Sequence, residues 1–424
     1  MRSLEVFQDF GGASGAALNL TKSSVKFFGR WKDRTDVPGG LSHCEGPLRI
    51  LGVDFVAAQG AVVNWTQKLG AVQKRLALWK TRRLTLIGKV LVLKANVLPS
   101  LLYLAYIYPL PASMRRSLTR LVFAFVWGGR YEYVARAQML APLGEGGRDV
   151  PHLPLRLDCF FVSFLLREVS SPAAHPSGHF LRYYFAYPAR RLMAWSNLGP
   201  RSEHPPWHFA HAAKWLRDHP GALEGGLGLD QRRLYAAVRL EVSGPGVVGV
   251  SSATWLRVQL PGLDNGLKDF NWFCLHKRLP VRATMYRHGL ARSPCCPRAT
   301  CSEDETVRHA LWGCHFAGSF WARARGLLAR IDPGFGLSWG VLERGIAGRG
   351  RETFLLWLVI SLAKRELWRA RLDLVRSGKD GGVEGVYRAV VGLVERRVVM
   401  GVRRWGHHAA RERWKGLFGL VRQA

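Results

Sequence analysis

The sequence predicts a mainly α-helical protein with a short β-structure near its N-terminal end. Three observations support this class. Apolar residues recur at helical intervals from residue 61 to about residue 98 and again after residue 351. The two short strand patterns lie within residues 1–60. The composition is that of a globular chain, with 48% hydrophobic and 22% charged residues. At about 150 residues per domain, 424 residues suggest two or three domains.

Residues 1–60 are interpreted as the cut end of a β-region. The Gly-rich residues 11–15 predict a flexible turn, and residues 25–28 predict a short strand. A polar loop follows at 36–46, and a second strand is predicted over 48–55. Because two strands alone do not make a stable sheet, their partners are expected elsewhere or are absent.

The next segment changes to a helical period. Five apolar residues recur at intervals of four and three, which places them on one buried stripe. Three basic residues, spaced seven apart, form a row on another face. The apolar residues are Trp65, Leu69, Val72, Leu76 and Trp79, and the basic ones are Lys68, Arg75 and Arg82.

Further helices follow. Thr85 is a suitable N-cap for a second helix over 86–97, which is expected to stop before Pro99. A third helix is predicted over 115–127, and a short one over 160–169. From residue 351 onward the pattern predicts two amphipathic helices, the second over 383–405, ending in a basic cluster.

No segment is predicted to span a membrane or to be a secretory signal. The most apolar stretches, 97–111 and 354–363, are shorter than the ~20 residues that a membrane-spanning helix needs, so they are interpreted as buried core helices. Residues 1–10 hold two acidic residues and no apolar run. Seven Cys in a chain of this length are too few for a disulfide scaffold. We therefore expect a reduced intracellular location, in the cytoplasm or the nucleus.

The charge is the most unusual global property of the chain. It has 62 Lys and Arg residues against 30 Asp and Glu residues, a formal net charge of +32. Self-repulsion of this size destabilises a compact chain unless a polyanion or counterions screen it. Arg suits such a partner because its guanidinium group forks onto phosphates and stacks on bases. A GC-rich gene, which favours Arg, Gly and Ala codons, is the alternative explanation.

One helical stretch of the chain contains basic residues and no acidic ones. Between Asp54 and Glu132 there is no acidic residue, whereas twelve basic residues occur. Ordinary exposed helices mix the two signs, since opposite charges at i and i+4 stabilise them. The simplest reason for their absence is that phosphates supply the negative charge; the alternative is a solvated basic surface. The twelve residues are Lys68, Lys74, Arg75, Lys80, Arg82, Arg83, Lys89, Lys94, Arg115, Arg116, Arg120 and Arg130.

One group of residues has the chemistry of a metal site. Cys296, Cys301, His309 and Cys314 follow the spacing C-x4-C-x7-H-x4-C. Thiolates and a neutral imidazole are the ligands of closed tetrahedral zinc sites, which leave no position for a catalytic water. Gly313 is expected to end the helix that carries His309, so that Cys314 can turn back toward the imidazole. The sequence thus predicts a structural Zn²⁺.

Other assignments stay open at this point. Cys295 could replace Cys296, and His315 or His288 could compete with His309. The cysteines could also be free thiols in a small helical domain. The acidic residues at 303–305 are expected to cap the helix that carries His309. No pair of carboxylates suits a catalytic metal, and no phosphate-binding Gly-rich loop occurs.

Several motifs, in order along the chain, resemble the C-terminal part of a LINE-type (non-LTR) retrotransposon reverse transcriptase. The segment 14–23 resembles the palm just after its catalytic hairpin, and 50–53 resembles the primer-grip strand. Trp79 with 84–91 and 97–99 looks like the thumb of these enzymes. The residues similar to the connector beyond the thumb are Phe123–Gly128, Arg136, Pro142 and Gly146-Gly147. A later set of residues is similar to the reverse-transcriptase-associated zinc-binding domain. These are 268–272, 278–282, Gly289, Cys296, Cys301, Glu305-Thr306, His309, Cys314 and Trp321.

The resemblance implies a domain plan and a set of basic residues that contact phosphates. The plan is a remnant of the palm (1–60), thumb and connector helices (61–140), a linker-rich region (141–250), the zinc-binding domain (251–325) and a basic helical tail (345–424). The family usually has two residues between its first two Cys, whereas this chain has four. The thumb cations implied to contact phosphates are Lys68, Arg75, Lys80, Arg82, Arg83 and Lys89.

The resulting expectation is a fragment that binds RNA or a template–primer duplex, largely independently of sequence. No catalytic residue is assigned, because the family's catalytic Asp residues lie upstream of the segments matched here; no enzymatic activity is therefore expected. Two alternatives are a non-functional transposon remnant or protein-interaction scaffold, and a truncated form of an active RNA-directed DNA polymerase.

Overall fold

The structure is a computed structural model, which describes residues 2–37, 40–129, 131–170, 206–244 and 249–420, together with residues 181, 183, 184 and 247. The predicted fold class is confirmed, because the chain is mainly helical and has two very small sheets in the part described. In chain order the α-helices are α1 (Arg2–Ser14), α2 (Gly60–Lys80), α3 (Leu86–Val92), α4 (Leu98–Ile107), α5 (Ala112–Trp127), α6 (Arg136–Leu140), α7 (Leu153–Ser170), α8 (Trp207–Asp218), α9 (Gln231–Val242), α10 (Ser252–Arg257), α11 (Asn265–Leu275), α12 (Arg282–Arg287), α13 (His315–Ala329), α14 (Trp339–Arg344), α15 (Arg351–Ser377), α16 (Gly382–Trp405) and α17 (His407–Arg413).

The chain divides into two compact units, each built from separate pieces of sequence. The first unit comprises Met1–Arg82, Leu91–Gly128 and Pro151–Glu241, and the second comprises Arg83–Val90, Gly129–Val150 and Val242–Ala424. The five-segment domain plan stays a prediction. Part of its linker-rich region, together with Arg130, lies outside the described residues.

The N-terminal β-structure differs in detail from the prediction. Strands β1 (Ser24–Val25) and β2 (Ser42–His43) pair in parallel, so the first strand is shorter than 25–28. The segment 48–55 is a hairpin rather than one strand: β3 (Leu48–Ile50) and β4 (Val53–Phe55) pair antiparallel. Leu51 and Gly52 form its turn with φ of 48° and 82°. A Leu in the left-handed region is uncommon, which is why the sequence did not indicate this turn.

The predicted flexible turn at residues 11–15 is wrong, because helix α1 continues to Ser14. The Ser14 hydroxyl donates to the carbonyl oxygen of Phe10 at 2.6 Å, and Gly15 N donates to Gly11 O at 2.9 Å. Gly15 has a φ of 73°, so the αL conformation that only glycine adopts readily ends the helix after Ser14.

Helix α2 buries the predicted apolar stripe within the first unit. Trp65, Val72 and Leu76 are buried, and Leu69 and Trp79 are partly buried. The Trp65 indole Nε1 donates to the carbonyl oxygen of Tyr108 at 3.0 Å, which fixes the ring beneath the C-terminal end of α4. The helical period therefore predicted both the element and its buried face.

The helix predicted over 86–97 starts as expected but does not stop before Pro99. The Thr85 hydroxyl accepts a hydrogen bond from Gly88 N at 3.1 Å, as an N-cap does. The helix then widens into a π-helical segment, Leu93–Val97, and continues as α4 with Pro99 in its first turn. The π segment changes the hydrogen-bond register before Pro99, so the missing N–H is tolerated as at a helix start. The run Leu86–Ile107 is long and apolar enough to cross a membrane by length and composition, a test that buried core helices also pass.

An ion-paired carboxylate lies in the core of the first unit. Asp158 on α7 is buried and accepts hydrogen bonds from the Arg115 guanidinium and from His211 Nε2, the latter at 3.2 Å. Helix α7 is longer than the predicted 160–169, because Pro154 lies in its first turn, where a missing N–H has no cost. Arg115, a basic residue of the acid-free stretch, is therefore neutralised by a carboxylate from outside that stretch.

A second buried ion pair lies in the core of the second unit. Arg148 Nη2 lies 2.9 Å from Asp269 Oδ1, and the guanidinium carbon lies 4.5 Å from the centre of the Trp272 ring. Asp269 Oδ2 also accepts a hydrogen bond from Leu86 N at 2.6 Å. This carboxylate therefore ties residues distant in sequence into one core.

The tail forms the two predicted amphipathic helices, α15 and α16. Within α15, Lys364 is 1% exposed, its ammonium donates to the Leu342 carbonyl oxygen at 2.8 Å and lies 4.7 Å from the Trp357 ring centre. Burial lowers the pKa of Lys364 from its ordinary value of 10.5.

This buried lysine predicts a pH dependence of stability. Above the lowered pKa the folded chain has released a proton that the unfolded chain still binds, so the free energy of unfolding should rise with pH until about 10.5. The Lys364→Met variant should lack this rise. We expect its urea-unfolding free energy, measured from pH 8 to 10, to fall relative to the native chain by up to about 1.4 kcal/mol per pH unit. Parallel curves would show that Lys364 does not titrate in this range.

Candidate metal centre

Four side chains predicted as metal ligands come together in the second unit. The ligand atoms of Cys296, Cys301, His309 and Cys314 all lie within 4.8 Å of one another. Cys296, His309 and Cys314 are buried, and Cys301 is partly buried. The cluster could hold a metal ion, and its three thiols and one imidazole are the donor set of closed structural sites.

Backbone hydrogen bonds hold the first two cysteines of the cluster, Cys296 and Cys301, on a compact loop after α12. Cys296 N donates to Glu303 O at 2.8 Å, and Cys301 N donates to Arg298 O at 3.0 Å. An isolated antiparallel bridge between Cys295 and Asp304 closes the loop. The four residues between the cysteines therefore form a turn that brings both thiols to the same side.

His309 and Cys314 reach the cluster through an unusual helical turn. The Thr306 hydroxyl accepts a hydrogen bond from His309 N at 3.1 Å and begins the turn. Residues His309–Gly313 are π-helical, and Cys314 N donates to His309 O at 2.8 Å. Cys314 is extended, with φ −62° and ψ 138°, so the predicted break at Gly313 is confirmed. The wider turn brings together residues five apart that an ideal α-helix would separate by about 140°.

A carboxylate fixes the orientation of the imidazole. Glu303 Oε2 lies 2.9 Å from His309 Nδ1, and His309 Nε2 lies 3.3 Å from Cys301 Sγ. A hydrogen bond from Nδ1 to a carboxylate sets the tautomer whose Nε2 lone pair faces the thiols. Metal-ligating histidines usually donate their other ring N–H to a carboxylate in this way.

The pKa values of two thiols of the cluster, Cys296 and Cys314, shift in opposite directions. A hydrogen bond between the Cys296 and Cys314 side chains lowers the pKa of Cys314 and raises the pKa of Cys296. The backbone N–H groups of Phe316 and Ala317, at the start of α13, also stabilise the Cys314 thiolate. Cys314 is therefore suited to be a thiolate ligand at neutral pH.

The alternatives left open by the sequence lie outside the cluster. The group that the described residues form contains Cys296, whereas Cys295 pairs through its backbone with Asp304. His288 and His315 are exposed and are not members of the group. His315 follows Cys314 directly and begins helix α13.

The acidic residues 303–305 do not cap the helix that carries His309, so that prediction is wrong. Thr306 supplies the cap, Glu303 binds the imidazole, and Glu305 is buried. Glu305 accepts two hydrogen bonds from Arg371 on α15, at 2.8 and 2.5 Å. Glu305 Oε2 also accepts from Arg282 N at 2.7 Å, so one carboxylate joins the metal-site loop to α12 and α15.

Sequence reasoning missed this role of Glu305, because Arg371 is 66 residues away and an acidic side chain carries no periodic sign of burial. Because the buried Glu305 carboxylate accepts hydrogen bonds from both Arg371 and Arg282, it holds the loop of the metal cluster in place.

The residues predicted to contact phosphates are divided between the two units. Lys68, Arg75, Lys80 and Arg82 belong to the first unit, and Arg83 and Lys89 to the second. The exposed ones are Arg75, Lys80, Arg82 and Arg83, whereas Lys68 and Lys89 are partly buried.

Two of these cations share a face of α2. Arg75 lies two turns after Lys68, whereas Lys80 lies about 140° around the helix from Arg75. The Arg75 guanidinium donates to Asn96 O at 3.3 Å. In the described part of the chain, neither Lys68 nor Arg75 forms an ion pair with a carboxylate.

No model of a known protein family matches the chain, and no curated protein sequence matches it.

Proposed function

We propose that the chain binds nucleic acid, chiefly through phosphate contacts, and that its Cys3His cluster holds a structural Zn²⁺. The observation that carries the first part is the acid-free stretch, in which Lys68 and Arg75 lie on one face of α2 without a carboxylate partner. Lys68 also lines a cavity of about 180 Å³ beside Arg49 and Tyr103. Cations that share one helix face without counter-charges favour a polyanionic ligand.

The zinc assignment rests on the donor set and on the carboxylate behind His309. Three thiol sulfurs and one imidazole nitrogen would occupy all four tetrahedral positions. Bound Zn²⁺ would cross-link the loop and the helical turn, and Glu303 would hold the imidazole in place. The closed donor set gives the ion a role in stability rather than in catalysis.

Nucleic-acid binding is tested by the salt dependence of affinity. We expect the full chain to bind single-stranded RNA with log K falling by about 0.7 per neutralised phosphate as log[salt] rises. The variant Lys68→Gln/Arg75→Gln should bind more weakly and lower this slope by about 1.4, because two phosphate contacts are removed. Fluorescence anisotropy from 50 to 300 mM salt measures both quantities.

The matched control removes two cations that carboxylates already neutralise. Arg34 bonds to Asp36, and Arg136 bonds to Glu132. The variant Arg34→Gln/Arg136→Gln carries the same charge change and should keep the native slope. Equal slopes for the two double variants, both folded by circular dichroism, would overturn the proposed contacts.

A further inference from the structure

The C-terminal helices enclose a basic cleft that lies outside the metal cluster and the acid-free stretch. A cleft of about 1050 Å³ lies between the end of α16, helix α17 and the turn Phe418–Leu420. Arg403, His407, His408, Arg411 and Lys415 line it, and all five side chains are exposed. The cleft thus has five basic side chains around one opening.

The segment that forms one wall of this cleft, residues 414–417, packs against the rest of the second unit. Trp414 and Leu417 are buried. Gly416 has a φ of 87°, and a Cβ at this position would lie 2.0 Å from the carbonyl oxygen of Arg330. Because the backbone passes this close to α13, the wall that carries Lys415 is fixed in place.

Little negative charge faces the cleft. Glu412 is the only carboxylate among its lining residues. Arg351 Nη1 donates to the Glu412 carbonyl oxygen at 2.7 Å and lies 4.0 Å from Glu412 Oε2, so this residue is already engaged. Among the residues described, Arg403, Arg411 and Lys415 form no ion pair.

Neighbouring arginines behave differently. Arg404 and Arg413 stack on Trp405, with guanidinium carbons 5.5 and 4.4 Å from the ring centre. Arg403 and Arg411, one and two residues away from these, line the cleft instead. Residues 403–413, at the end of α16 and in α17, therefore hold two sets of arginines. One set is stacked on an aromatic ring, and the other faces an open cleft and forms no ion pair in the described part of the chain.

We propose that this cleft binds phosphate groups. Guanidinium groups donate paired hydrogen bonds to phosphate oxygens, Lys415 adds a point charge, and imidazoles add single donors. The phosphates could be those of a nucleic-acid backbone or of a small polyphosphate. In the first case the inference rests on the proposed function and adds a second contact region to it; in the second case it stands alone.

The test compares two double variants of the full chain. Arg403→Gln/Arg411→Gln removes cleft cations, and Arg404→Gln/Arg413→Gln removes the same charge from the stacked set. Binding of single-stranded RNA is measured by anisotropy, and binding of inorganic tripolyphosphate by calorimetry. Whichever of these two probes the native chain binds, we expect Arg403→Gln/Arg411→Gln (the cleft variant) to bind it about tenfold more weakly than Arg404→Gln/Arg413→Gln (the stacked-set variant) does.

The outcomes separate the two sources and the two proposals. A selective loss of RNA affinity without tripolyphosphate binding identifies the backbone, whereas calorimetric binding of tripolyphosphate that only the cleft variant loses identifies a small polyphosphate. Equal affinities of both variants for both probes would overturn the cleft. If RNA binding then still depended on Lys68 and Arg75, the proposed function would stand without it. If it depended on the cleft alone, the contacts proposed for α2 would fail.

Discussion

Replacing Cys314 by Ser should abolish metal binding and unfold the segment around the cluster. Structural zinc contributes about 10–16 kcal/mol in zinc-finger peptides, as much as the whole stability of a typical domain. Cys314 is the thiol with the lowered pKa, and its backbone ends the π-helical turn that carries His309. We expect elemental analysis of the purified full chain to find about one zinc ion in the native protein and none in the variant, with a loss of helical circular dichroism.

The chain supplies its own control for this experiment. Cys295 precedes Cys296 directly, but its backbone pairs with Asp304 and its thiol is not in the cluster. Cys295→Ser should keep the metal, whereas Cys296→Ser should lose it. The reverse result would move the first ligand to Cys295, and zinc retained by all three variants would refute the Cys3His assignment.

The second large effect is expected from Glu305→Ala. Glu305 is 1% exposed, and its removal leaves the Arg371 guanidinium, 6% exposed, without a counter-charge. Breaking a buried ion pair by removing one partner costs about 3–5 kcal/mol. The hydrogen bond from Arg282 N is lost as well. Urea unfolding, followed by the fluorescence of the tryptophans, should show the cost directly.

An exposed ion pair of the same unit calibrates this measurement. Glu384 lies 3.3 Å from Arg323, and both side chains are more than half exposed. Glu384→Ala should therefore cost no more than about 1 kcal/mol. If the two variants were destabilised equally, the Glu305–Arg371 pair would not be a buried link in solution.

The sequence predicted those elements whose signal is local and periodic. The stripe of α2 repeats at helical intervals, and Trp65 and Leu76 are buried as that period requires. The Cys3His cluster was predicted because its four residues lie within 19 positions and carry a distinctive donor chemistry. In both cases the information needed was contained in a short segment.

The features that sequence reasoning missed depend on geometry or on distant partners. Pro99 indicated the end of a helix, but a π-helical register shift before it lets the helix continue. The turn at Leu51 uses a conformation that its side chain disfavours. Glu305 and Asp269 resembled surface carboxylates until their partners, Arg371 and Arg148, were placed beside them.

The hydrogen bond from Leu86 N to Asp269 has a consequence for how the chain reaches its native state during translation. Its two ends are 183 residues apart, so the start of α3 leaves the ribosome long before its acceptor is synthesised. At about 5–20 residues per second, this delay lasts roughly ten to forty seconds. During that interval the core of the second unit is incomplete, and its apolar surface is accessible to chaperones. A unit whose core closes only when a late segment arrives exposes apolar surface for longer, and such incompletely folded species are prone to aggregate.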